Sequence, residues 1–182
     1  MTRPVIVVDT ETTGLDPAIH EVVEVAWADL HGEDPAVSVR VPHVGLSADP
    51  AALSVNGYHE RGLYEPPGAA EHLLLLGLRE VLRDATLAGA NLAFDLPFLT
   101  RLFGQAVWHY RALDIPAYVA GRLGWRTADS LVNTVTRLAE TTGLQPPAGA
   151  QFHTAAGDVE VARWAYRTAR GHDFVRDLNR TS

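Results

Sequence analysis

The 182-residue sequence contains no cysteine and no lysine; its fifteen Lys-plus-Arg residues are all arginine, and it has a single methionine. Without cysteine there is no disulfide, thiolate nucleophile or zinc-thiolate site, so a bound metal would have to be held by oxygen or imidazole. That donor set favours magnesium or manganese. Without lysine there is neither Schiff-base chemistry nor a P-loop lysine. Long apolar runs are missing too. The longest leucine-rich stretch, Leu73 to Leu78, is too short to span a bilayer, and the opening MTRPVIVVDTETTG has neither the apolar stretch nor the cleavage site of a signal peptide. A cytoplasmic protein with no membrane partner is the expectation.

What is present is ordinary for a globular domain: 47% of residues are apolar and 20% charged, in a length that suits one domain with its own core. The net charge of −7 argues against coating long stretches of nucleic acid, because such binding needs many cations on phosphates. An enzyme that grips only a strand end is compatible with it. There a bound metal supplies local positive charge, and its carboxylate ligands count towards the acidic total.

Along the chain, Pro4 to Val8 is a short β-branched run suited to a buried central strand. Turn-like segments at 14–17 and 32–35 separate it from runs at Glu21 to Leu30 and Ala36 to Val41, giving a three-stranded antiparallel meander. Pro66-Pro67-Gly68 then opens a helix whose Leu74, Leu78, Val81, Leu82 and Ala85 recur at helical spacing. Beyond it the pattern alternates: a strand over Thr86 to Ala90, a helix over Pro97 to Phe103, a strand over Arg111 to Ile115 closed by Pro116, and a helix over Ser130 to Thr142 stopped by Gly143. A final helix over Ala155 to Arg170 aligns Ala155, Val159, Ala162, Tyr166 and Ala169. Residues 1–171 read as one domain and 172–182 as a tail or short terminal helix. The whole reads as an α/β domain with one mixed sheet.

Asp9 and Glu11 lie two apart at the end of the first strand, so if the strand continues through them both carboxylates leave one face. Two readings stand: both face water at the strand end, or a cation compensates them. Asp95, taken alone, reads as the cap of a helix starting near Pro97. His153 and Asp158 are five apart, about 140° around a continuous helix, so they would not face one ligand from the same helix. His153 fits the loop before the last helix, with Thr154 as its cap and Asp158 on it. The other histidines, His20 and His43 among them, read as solvated.

The segment Val7-Val8-Asp9-Thr10-Glu11-Thr12-Thr13-Gly14-Leu15-Asp16 resembles the first motif of the DEDDh 3′-5′ exonuclease family, which includes the proofreading subunit of bacterial replicative polymerases. Asn91-Leu92-Ala93-Phe94-Asp95-Leu96-Pro97-Phe98-Leu99 is similar to its second motif, and His153-Thr154-Ala155-Ala156-Gly157-Asp158 to its third. The tyrosine branch of the family would need Tyr where Thr154 stands. Leu53 to Tyr58 is similar to a segment that the family uses near the terminal nucleotide, often with His where Asn56 stands.

The resemblance, spanning roughly residues 4 to 171, implies a ribonuclease-H-like three-layer fold: a five-stranded mixed sheet with helices on both faces. It implies two divalent ions, Mg2+ or Mn2+, held by Asp9, Glu11, Asp95 and Asp158, with His153 as general base. Asp9 would bridge both ions, Glu11 and Asp158 would complete the water-activating site, and Asp95 would serve the leaving-group site. Thr10, Thr12, Thr13, Gly14, Leu15 and Asn56 are the implied substrate contacts; Phe98 and Tyr58 are further candidates for stacking on a base, although helical spacing suits Phe98 to the core. Asp114 is expected to be structural. The implied partners are the 3′ end of a single-stranded nucleic acid, DNA favoured over RNA, and a DNA polymerase in the proofreading case. Two rival readings are RNA 3′-end trimming by the same chemistry and a non-catalytic polymerase-associated module, which would be expected to have lost ligands.

Overall fold

The computed structural model describes residues 3–45 and 47–171, so the expected tail at 172–182 lies outside the described residues. β1 (Val5–Thr12), β2 (Val22–Asp29) and β3 (Val37–Arg40) form the meander; β1 pairs antiparallel with β2, and β2 with β3. β4 (Thr86–Gly89) runs parallel to β1, and β5 (Leu113–Asp114) parallel to β4. The five-stranded order is β3-β2-β1-β4-β5.

Alternation along β1 divides the core in two. Val7 packs with α6 (Ala155–Gly171), α5 (Leu131–Thr142) and α4 (Ile115–Arg122), whereas Ile6 and Val8 pack with α2 (Ala69–Val81) and α3 (Leu92–Phe103). Helices therefore cover both faces, as expected. Among the described residues no helix is long and apolar enough to cross a membrane.

Two local expectations need correction, and one helix was not foreseen. Within α2 only Leu78 is buried, Leu82 and Ala85 are buried beyond the helix's end, and Leu74 and Val81 are exposed. The strand expected through Ile115 ends at Asp114, because Asp114 caps α4 by accepting from the Ala117 N–H and Pro116 sits in the first turn. The same signature, Asp49 followed by Pro50, starts an unforeseen short helix, α1 (Pro50–Val55).

Candidate active site

The site forms at the C-terminal end of β1, where two faces of the sheet meet. β1 continues through Thr12, so Asp9 and Glu11 share the face of Val7, towards α6, while Thr10 and Thr12 share that of Val8, towards α3. Asp158 enters from the first turn of α6. Oxygens of Asp9, Glu11 and Asp158 all lie within 4.8 Å of one another, a group that can hold a metal ion.

The start of α6 follows from its sequence. Thr154 Oγ1 accepts from the Gly157 N–H at 3.1 Å and donates to the Gln151 carbonyl at 2.8 Å. That loop lies so close to the helix that a Cβ on Gly157 would meet the Gln151 carbonyl oxygen and come within 2.6 Å of Thr154 Oγ1, which explains the glycine beside Asp158. His153 takes a left-handed φ of 63° and is exposed, and its backbone N–H donates to Asp158 Oδ2 at 3.1 Å. The division inferred from spacing holds: the histidine precedes the helix and the aspartate is fixed on it.

Asp95 is not a cap. α3 begins at Leu92, with Asn91 in the cap position at φ 57° and its N–H donating to Asp114 Oδ2 at 3.0 Å, so Asp95 falls within the first turn. There its Oδ1 accepts from both the Thr10 N–H, at 3.0 Å, and the Thr10 hydroxyl, at 2.7 Å, and only 3% of the residue is exposed. Asp114, through Asn91 and Ala117, has the structural part expected of it.

Gathering carboxylates at a half-buried strand end is electrostatically costly. Burial, then the charges of Asp158 and Glu24, push Glu11 up to about 8, with Arg61 opposing. Burial raises Asp158 to about 6 against the His153 N–H, and raises Asp95 to about 6 against the two Thr10 bonds. Asp9, desolvated and facing Asp95, Asp158 and Glu11, is raised well above its ordinary value. A cluster that resists ionising alone is stabilised by a cation, and its all-carboxylate donor set suits a hard divalent ion.

Beside the carboxylates opens a cleft of about 310 Å³, lined by Thr10, Glu11, Leu15, Val55, Asn56 and Phe94 among others. Leu15 is 73% exposed and Val55 58% exposed at its walls. Asn56 is 2% exposed and donates from Nδ2 to the Thr12 carbonyl at 3.0 Å, fixing the end of β1. The hydroxyls of the motif serve the turn: Thr12 Oγ1 donates to the Gly14 carbonyl, and Thr13 Oγ1 donates to the Ser47 carbonyl and accepts from the Glu21 N–H. Gly14 lies against the ring of His20, where a Cβ would stand 2.5 Å from Cδ2.

Phe98 does not face the cleft wall; it is 1% exposed in the core, and Phe94, its ring centroid 5.1 Å away, is the cleft aromatic. His43 is not simply solvated, since its ring bridges the Val41 carbonyl and the Tyr58 hydroxyl. Sequence reasoning also passed over Glu24 and Arg61. For Glu24 the signal was a charge inside the apolar run of the strand VVEVAWAD; for Arg61 the sequence carried none.

No protein-family model and no curated protein sequence matches the chain. Among solved structures, zinc-bound E. coli exonuclease I with single-stranded DNA superimposes on 100% of this chain and 43% of its own, with a TM-score of 0.66 at 16% identity. E. coli exonuclease I with a dT13 oligonucleotide matches over 98% of this chain and 43% of its own, with a TM-score of 0.64 at 14% identity. The moderately thermophilic exonuclease I of Methylocaldum szegediense matches over 94% and 41%, with a TM-score of 0.61 at 18% identity. The chain has the fold of the matching part of those exonuclease I chains. It spans less than half the length of those exonuclease I chains. In this ribonuclease-H-like fold, the acidic cluster stands at the end of the central strand.

Proposed function

We propose that the chain is a metal-dependent 3′-5′ exonuclease that hydrolyses single-stranded or frayed DNA 3′ ends to nucleoside 5′-monophosphates. The observation that carries this reading is the convergence of Asp9, Glu11 and Asp158 within 4.8 Å, with an exposed His153 preceding the helix that bears Asp158. Asp95 completes the acidic set from the opposite face of the sheet.

Asp9, Glu11, Asp158 and Asp95 would hold two divalent ions, Mg2+ or Mn2+. When bound, such ions neutralise charge building on the phosphodiester and acidify the attacking water. His153 accepts that water's proton, its exposed ring turning about its own side-chain bonds while its backbone N–H keeps hold of Asp158. Leu15, Val55 and Phe94 offer the terminal base apolar walls, and the backbone of Thr10 to Thr12 borders the sugar.

DNA is favoured over RNA because the superimposed E. coli exonuclease I structures are single-stranded DNA and dT13 complexes. A place beside a DNA polymerase, as in proofreading, rests on the Asp-Thr-Glu-Thr-Thr-Gly form of the first motif. The products test the reading: a 3′-labelled single strand should release a labelled nucleoside 5′-monophosphate as its first product, faster from DNA than from RNA. Labelled oligonucleotide fragments instead would indicate endonuclease action and overturn it.

A further inference from the structure

Glu24 stands in β2 directly across from Glu11 in β1, and is 7% exposed. Like charges opposite one another in a sheet are destabilising, and a buried carboxylate is costly unless hydrogen-bonded. Glu24 is well bonded. Its Oε1 accepts from Ser38 Oγ at 2.7 Å; its Oε2 accepts from the Arg61 guanidinium at 2.6 Å and from the Ala155 N–H, the first amide of α6, at 3.2 Å.

Arg61 extends the connection. Its second terminal nitrogen donates to the Asn56 carbonyl at 2.9 Å, and Asn56 in turn holds the Thr12 carbonyl at the end of β1. One ion pair thus joins β2, β3, the segment after α1 and the start of α6. Asp158 sits one turn beyond Ala155, so the bond to Glu24 sets where its carboxylate falls relative to Glu11. Thr154 already caps this helix through Gly157, so the Glu24 bond serves a second free amide and ties the helix to the sheet.

We propose that Glu24 and Arg61 form the positioning pair of the site. Glu24 pins α6 so that Asp158 meets Asp9 and Glu11, and Arg61 holds Glu24 in place while fixing Asn56 on the cleft. Neither is a catalytic residue. The inference rests on the reading of Asp9, Glu11 and Asp158 as metal ligands. A pair that merely stabilised the fold would affect melting and leave metal binding unchanged.

Glu24→Gln keeps the length and the acceptor but loses the charge; Glu24→Asp keeps the charge and withdraws it by one methylene. Mn2+ binding to each purified variant, followed by the loss of the free-ion paramagnetic resonance signal, separates the two contributions. Glu24→Gln is expected to bind within about threefold of wild type and Glu24→Asp to bind about 10–100-fold more weakly. Glu24→Asp binding like wild type, or Glu24→Gln as weak as Glu24→Asp, would overturn the proposal. If Glu24→Asp does not fold, Arg61→Lys is read instead: it keeps the charge but cannot span both Glu24 and Asn56, so binding should again weaken.

Amide exchange at Ala155 in metal-free protein separates this claim from the metal reading. Protection should persist in Glu24→Gln and fall at least tenfold in Glu24→Asp. Unchanged protection in Glu24→Asp refutes the pinning, whereas a wild-type protein that binds no Mn2+ refutes the metal site itself.

Discussion

Thr10 donates both its backbone N–H and its hydroxyl to one oxygen of Asp95, joining residues 85 positions apart, β1 to α3. The bond ties the second motif to the first, and it opposes the upward push that burial exerts on Asp95. Thr10→Val removes the hydroxyl at nearly constant shape, forfeiting a charge-assisted bond worth about 1.5–3 kcal/mol. The Asp95 carboxyl should move further up, and turnover at neutral pH should fall about tenfold or more, with Thr10→Ser near wild type. Steady-state rates on single-stranded DNA check this; an unimpaired Thr10→Val would show that Asp95 needs no such support.

The raised carboxylates make a stability prediction with a definite sign. Glu11 at about 8 and Asp95 and Asp158 at about 6 lie above the ordinary carboxylate range, so the stability they give is full below about pH 4 and is lost as pH rises through about 6 to 8. Metal-free protein should therefore melt higher at about pH 5 than at about pH 8.5, by about 2–4 °C for each kcal/mol involved. Glu11→Gln should flatten the upper part of that profile, and Mn2+ should restore the melting temperature at high pH. A metal-free melting temperature that rises with pH across this window would contradict the cluster's electrostatics.

Much of this was legible in the chain. Period-two alternation placed Asp9 and Glu11 on one face, and five-residue spacing separated His153 from Asp158. The start of the helix bearing Asp95 was misplaced because Pro97 looks like a first helical residue, whereas the helix starts at Leu92 behind a left-handed Asn91, a backbone state that composition does not announce. Phe98 and Phe94 share a helix, and only packing decides which one faces the cleft. The Glu24 to Ala155 bond spans 131 positions, a pairing that no local pattern encodes.

His153→Ala should lower the rate by about 100- to 10,000-fold with Mg2+, the usual range for loss of a general base. Mn2+ binding should change little, since the histidine is not among the proposed ligands. Rates and Mn2+ titrations on the same preparation check both halves. A full rate with Mg2+ would remove His153 from the mechanism.

Gly14 packs against the His20 ring, where a Cβ would stand 2.5 and 2.6 Å from Cδ2 and Cε1, so the ring, whose Nδ1 accepts from the Asp16 N–H, would have to shift. Gly14→Ala should destabilise the protein by about 1–3 kcal/mol, as overpacking does, and disturb the turn that carries Leu15. Adding His20→Ala should relieve most of the loss. Chemical denaturation of the single and double variants checks it; no rescue by His20→Ala would place the strain elsewhere.

The central claim is tested most directly by incubating 5′-labelled single-stranded DNA with the purified protein in Mg2+, in Mn2+ and in chelator, beside Asp9→Asn. The account predicts a ladder that shortens from the 3′ end, needs the metal and disappears in Asp9→Asn. No cleavage by the wild-type protein, or a ladder of equal strength from Asp9→Asn, would contradict it.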